Sequence, residues 1–195
     1  MALSTYAELQ ASVLGWLKRK DLADQVPVFI RLAEAKFNRR LRVNDMRTTV
    51  TLTSPFTLPD DFESVDSVFS VSDPTKPLSK LTVESMRRAY SNPSGTARAY
   101  AVDGTTLLVR PAGDVTLNYY QSIPALSDTN TSNWLLAGHP DIYLYGACME
   151  AAPYLEDDQR LGTWSKLLGL ALTDLEAADK RLRYSGAGHR RNDNA

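Results

Sequence analysis

The sequence predicts an α+β fold: helices from the N- and C-terminal parts form a bundle, and a small antiparallel β-sheet or hairpin domain is inserted between them. Apolar residues recur at helical spacing near both ends, whereas the middle of the chain alternates with a period of two. We therefore expect bundle helices in residues 1–47 and 122–183, a β-rich insertion in residues 48–121 and an extended C-terminal tail in residues 184–195.

The first two helices are predicted from their start signals and their apolar stripes. Thr5 and Glu8 have the spacing of a capping box. Pro27 fits the first turn of the second helix, where a missing N–H is tolerated. The second helix should bury one stripe, made of Val26, Phe29, Ile30, Ala33, Phe37 and Leu41. Its far end is basic, and cations there face the negative end of the helix dipole.

The middle of the chain carries strand and turn signals. Residues 48–53, 62–71 and 115–121 are rich in β-branched or aromatic residues or alternate in polarity, which favours strands. Asp103 and Gly104 stand between two alternating runs and predict a tight hairpin, in which Gly104 has a positive φ and the tip is exposed. A short helix is expected in residues 82–90.

Helices return in the last third of the chain. Pro140 fits the first turn of a helix that Pro153 should kink or end. A second stripe then advances by three or four residues from Leu161 through Trp164, Leu168, Ala171, Leu175, Ala178 and Leu182. Beyond Tyr184 the only apolar side chains are those of alanine, so this segment should become ordered only on binding a partner.

Composition excludes several classes of protein. The chain has 195 residues, of which 43% are hydrophobic, and its single cysteine excludes an internal disulfide. No stretch has the roughly 18 apolar residues of a membrane span, so no membrane partner is expected. The net charge of −1 conceals basic segments near both ends and an acidic region between them, a distribution that suits ordered assembly with partners.

The residues with catalytic potential lie in residues 132–164. His139 precedes a proline at a helix start and is expected to cap that helix, and Cys148 lies in an apolar run and should be a core residue. Glu150 interrupts the same run. It could pair with Asp141 or Glu156 as in a glycosidase, but an ion pair with an arginine or a place on the solvated face is favoured.

No catalytic, cofactor or metal site is predicted, because His/Cys ligand spacings and phosphate-binding glycine loops are absent from the sequence.

Three segments resemble a known family along nearly the whole chain. They are DLADQVPVFIRLAEAKFNRRLRVNDM, LPDDF and IPALSDTNTSNWLLAGHPDIYLYGACMEAAPYLEDDQRLGTW. In this order they are similar to the adaptor proteins of tailed bacteriophages, which are also called head-to-tail connector or head-completion proteins. The resemblance implies a structural virion protein rather than an enzyme, located at the portal vertex or neck of the virion and in the host cytoplasm during assembly.

The resemblance also implies partners. Adaptor subunits form a ring, usually of twelve copies, that docks beneath the portal protein. The ring extends the channel through which genomic DNA passes during ejection, without sequence-specific binding. It also carries the next tail component, which is a nozzle, a stopper or a tail tube.

Two groups of residues are candidates for these contacts. The tail is the expected portal anchor, with Arg183, Tyr184, Gly186, Gly188, His189, Arg190 and Arg191. Contacts with neighbouring subunits or the channel are expected from Arg39, Arg40, Arg42, Arg47, Glu156, Asp157 and Asp158. Two alternatives remain open: a nucleic-acid-binding protein that uses the basic end of the second helix, and a virion-associated wall hydrolase centred on Glu150.

Overall fold

A computed structural model describes residues 3–90, 95–155 and 158–184, with the backbone only for Asp158, Gln159 and Tyr184. The helices are α1 (Tyr6–Leu17), α2 (Val26–Arg40), α3 (Val83–Ala89), α4 (Trp134–Gly138), α5 (Pro140–Tyr154) and α6 (Asp158–Tyr184). The strands are β1 (Arg47–Leu52), β2 (Phe62–Ser70), β3 (Ser79–Lys80), β4 (Ala99–Asp103), β5 (Thr106–Arg110) and β6 (Val115–Gln121). The predicted α+β class is confirmed.

The contacts divide the chain into two compact units. The helical unit contains the described residues of Met1–Asp45 and Ile123–Ala195, and the sheet unit is Met46–Ser122. The helical unit is therefore built from two separate stretches of sequence, whereas the sheet unit is continuous.

Local signals explain where the helices of the helical unit begin. The Glu8 N–H donates to Thr5 Oγ1 at 3.3 Å, and the Glu8 carboxylate accepts from the Thr5 N–H at 3.1 Å, so the predicted capping box is confirmed. Pro27 lies in the first turn of α2, as predicted. Pro153 is inside α5, which continues only one residue further to Tyr154.

The core of the helical unit forms where α2 meets α5. The ring of Phe37 contacts the ring of Tyr143 edge-on, with centroids 5.5 Å apart. Gly146 allows this approach, because a Cβ there would lie 2.5 Å from Phe37 Cζ and 3.2 Å from the Cβ of Ala33. The fully buried side chains on the helices of this unit include Leu9, Val13, Ile30, Phe37, Leu135, Leu136, Ile142 and Tyr143.

The described part of the sheet unit contains two three-stranded sheets, where the sequence predicted one small antiparallel sheet. The first has the order β1-β6-β2 and is antiparallel throughout. In the second, β3-β4-β5, the two-residue strand β3 runs parallel to β4. The hairpin between β4 and β5 is confirmed, and Gly104 at its exposed turn has a φ of +58°.

Candidate interaction surface

A buried carboxylate joins the last turns of α6 to the residues that follow α2. Asp179 is 9% exposed and accepts hydrogen bonds from the backbone N–H of Asn44 at 2.7 Å and from Arg183 Nε at 2.8 Å. Arg183 Nη2 also donates to the carbonyl oxygen of Arg42 at 3.0 Å. Charge-assisted hydrogen bonds are the stronger kind, so these contacts fix the end of the helix from which residues 185–195 continue.

The arginines at the end of α2 have different surroundings. Arg42 Nη1 donates to the carbonyl oxygen of Asn38 at 2.6 Å, which satisfies a C-terminal carbonyl of the helix as the dipole argument predicts. Arg40 Nε lies 3.7 Å from a carboxylate oxygen of Glu176 on α6. Arg39 is exposed and forms no ion pair within the described parts of the chain. The three neighbouring arginines therefore do not act as one group.

Arg47, the fourth arginine expected to contact neighbouring subunits or the channel, belongs to the sheet unit. Its Nη2 lies 2.6 Å from Asp66 Oδ2, and the Tyr120 hydroxyl donates to Asp66 Oδ1 at 3.2 Å. Arg40, Arg42 and Arg47 thus have partners within the subunit, which leaves fewer free cations for binding a nucleic acid.

Helices α2, α5 and α6 line a cavity of about 220 Å³. At its edge, Lys36 Nζ contacts Glu150 Oε1 at 2.5 Å, and the Glu150 side chain is only 10% exposed. The sequence favoured an ion pair with an arginine or a solvated face for Glu150: the ion pair is present but its cation is a lysine, and the solvated face was wrong. Lys36 on α2 reaches the carboxylate of Glu150 on α5, and its positive charge compensates a negative charge that would otherwise be buried without a partner.

The other residues with catalytic potential have structural surroundings. Cys148 is fully buried, as predicted, and burial raises the pKa of its thiol to about 12, so the thiol is protonated at neutral pH. His139 is the residue before α5, but its side chain makes no capping hydrogen bond, so the prediction that it caps the helix was wrong. Among the described residues, no cluster of three His, Cys, Asp or Glu could hold a metal ion.

Several predicted contact residues lie outside the described residues: Glu156, Asp157, Gly186, Gly188, His189, Arg190 and Arg191. Asp158 and Tyr184 are the first and last residues of α6.

A buried polar network, which sequence reasoning missed, holds the connection between β6 and α4 on the inner side of α2. Glu34 is 4% exposed, and its Oε1 accepts from the Leu126 N–H at 2.9 Å and from the Tyr143 hydroxyl at 3.1 Å. Asn133 Nδ2 donates to the same hydroxyl at 2.7 Å. One signal was available: position 34 is four residues after Ile30, so it falls on the inner face of the helix.

The network predicts a pH dependence of stability. Burial raises the pKa of Glu34 above its ordinary value of 4.5, against the opposing effect of its two hydrogen bonds and of Arg31. The folded protein therefore binds a proton more readily than the unfolded chain does. Stability from this group is fully present below the unfolded pKa and is lost as the pH rises through the folded pKa.

Replacing Glu34 by glutamine should remove this dependence while keeping an acceptor for both donors. We expect the free energy of unfolding of E34Q, relative to wild type, to improve as the pH rises from 4 to 7, as measured in urea. A difference between the two proteins that stays constant with pH would show that Glu34 does not titrate on folding.

The fold and these contacts define the class of the protein: an α+β protein in which ion pairs such as Lys36–Glu150 and Arg47–Asp66 connect neighbouring helices or strands. The family model described as SU10 adaptor protein matches residues 4–191, so the chain belongs to this family of phage head–tail adaptors, as its resemblance predicted. A comparison with curated proteins gives no match.

Membership of the family makes the chain a phage structural adaptor protein and implies contacts with portal and tail components at the virion neck. Of the helices that the structure describes, none is both long and apolar enough to cross a membrane.

Proposed function

We propose that this protein is a non-enzymatic subunit of a ring that docks beneath the portal, extends the DNA channel and carries the next tail component. The observation that carries the proposal is the match to the adaptor family over residues 4–191. The internal pairing of Arg40, Arg42 and Arg47 supports this function over the nucleic-acid-binding alternative. The burial of Glu150 and its ion pair with Lys36 support the adaptor function over the wall hydrolase.

The segment 185–195 is the proposed portal anchor. It follows α6 directly, and the last turn of α6 is held by Asp179 and Arg183. The anchor would therefore start from a fixed point on the helical unit. Arg190 and Arg191 supply guanidinium groups that can bind carboxylates of the portal in bidentate fashion.

Deleting residues 185–195 tests the anchor. The truncated subunit should keep the wild-type melting temperature, because Asp179 and its partners remain, but should no longer join a portal ring in sedimentation or native mass measurements. Replacing Arg190 and Arg191 by serine, with the chain length kept, should weaken binding at least about tenfold if the guanidinium groups carry the contact. Truncated subunits that bind filled heads at wild-type occupancy would place the anchor elsewhere.

The non-enzymatic part of the proposal has its own test. A zymogram on host cell wall should give no cleared band for either wild type or Glu150→Gln. A band that is present for wild type and absent for Glu150→Gln, with tails intact, would establish the hydrolase instead.

A further inference from the structure

The outward side of α2 carries a second apolar stripe in addition to the one in the core. Val28, Leu32, Ala35 and Arg39 are all exposed and follow one another at intervals of four, three and four residues. Val28 is 49% and Leu32 is 48% exposed. Alternating intervals of three and four residues are those of the a and d positions in the heptad repeat of helices that pack side by side. The outward side of α2 therefore has the geometry of a helix-packing face.

The exposed charged residues that α2 itself contributes have a single sign. The exposed charged residues of α2 are Arg31, Lys36, Arg39 and Arg40, and its only acid, Glu34, is buried. Lys36 and Arg40 are paired with α5 and α6. Arg31 lies beside the apolar residues and Arg39 ends the stripe, and neither arginine forms an ion pair with any residue that the structure describes.

We propose that this face, the basic stripe formed by Val28, Arg31, Leu32, Ala35 and Arg39, docks an amphipathic helix of a partner protein that carries acidic residues beside its apolar seam. The spacing of the apolar residues matches that of residues in helix–helix contacts, so the partner segment should be a helix. Arg31 and Arg39 form no ion pair, so carboxylates on that helix would be complementary to them. The basic stripe of a second copy is a poor occupant, because it would bring arginines against arginines. Phosphates would leave the apolar side chains without contacts. The inference depends on α2 alone and is independent of the anchor in residues 185–195.

A fluorescein-labelled synthetic peptide tests the proposal, with leucine at a and d and glutamate at e and g over three heptads. A matched peptide has lysine at e and g. In fluorescence anisotropy with the full-length protein, we expect the glutamate peptide to bind at least about tenfold more tightly than the lysine peptide. Its affinity should also fall as salt is added.

Two variants locate the binding site. Leu32→Ser should weaken binding of the glutamate peptide about tenfold, and Arg39→Glu should do the same through charge alone. Leu170→Ser is the matched control, because Leu170 is a 57% exposed leucine on α6, and its binding should equal that of wild type. Circular dichroism and melting curves check that each variant is folded.

Equal affinity for the two peptides, an absence of binding, or an equal loss in Leu170→Ser would overturn the proposal. So would a self-association of wild type that Leu32→Ser abolishes, since the occupant would then be a second copy. Displacement of the glutamate peptide by duplex DNA at physiological salt, with loss of DNA binding in Arg39→Glu, would identify a nucleic-acid surface instead.

Discussion

Gly146→Ala is expected to lower the free energy of unfolding by about 2 kcal/mol, although alanine normally favours a helix over glycine. The added methyl group would lie 2.5 Å from Phe37 Cζ, 3.1 Å from Cε1 and 3.2 Å from the Cβ of Ala33. Phe37 is 2% exposed and its ring meets Tyr143 on one side, while Phe37 and Gly146 also line the cavity between α2, α5 and α6. Relief therefore requires the Phe37 ring to leave its packed position and turn towards this cavity, or α2 and α5 to separate.

Gly169→Ala provides the matched comparison in urea unfolding. Gly169 is also a helical glycine, but a Cβ built there meets nothing within 4 Å. This variant should be more stable than wild type, by about 0.5–1 kcal/mol, because only the helix propensity changes. If Gly146→Ala also gained stability, the contact between α2 and α5 would be looser than the distances imply.

Asn133→Ala is expected to cost about 3 kcal/mol of unfolding free energy. Asn133 Oδ1 accepts from the Leu136 N–H at 2.9 Å and so caps α4. Its Nδ2 donates to the carbonyl oxygen of Pro124 and to the Tyr143 hydroxyl, both at 2.7 Å. Removing the amide leaves the buried Leu136 N–H and Tyr143 hydroxyl without this partner and breaks the direct bond between the connection and α5.

Asn130→Ala is the control for the loss of an asparagine from the same connection. Asn130 Nδ2 donates to the carbonyl oxygen of Ala125 at 2.7 Å, but this bond is exposed and water can replace it. We expect a loss below about 1 kcal/mol in chemical denaturation. If Asn133→Ala and Asn130→Ala lowered the free energy of unfolding equally, the buried hydrogen bonds of Asn133 would contribute no more to stability than an exposed hydrogen bond of the same connection.

The elements that the sequence predicted are those whose signals are local. The capping box of α1, the hairpin at Gly104 and the strand β6 each depend on residues within a few positions of one another. The five-residue α4 and the two-residue β3 were missed, because neither spans enough residues to reveal a period. The parallel pairing of β3 with β4 depends on residues about twenty positions apart, which no local pattern encodes.

The contacts of the candidate surface were less predictable for the same reason. The sequence identified the basic end of α2 but not that Arg40 would face Glu176, because the two lie on helices far apart in the chain. Lys36 and Glu150 are separated by 114 positions. The role of Asp179 could not be predicted either, because its partner, the backbone N–H of Asn44, is 135 positions away in the chain. Side-chain pairing between distant elements follows from packing rather than from spacing.

Because the helical unit is formed by two stretches of sequence that are far apart, its fold can be completed only after the second stretch has been synthesised on the ribosome. Translation finishes α2 at Arg40, but α5, on which its inner face packs, starts at Pro140. At about 5–20 residues per second, this interval lasts roughly 5 to 20 s. The continuous sheet unit, Met46–Ser122, emerges during that time and can fold first. Until α5 is synthesised, Phe29, Ile30 and Phe37 of the nascent chain lack this partner and present an apolar surface to chaperones.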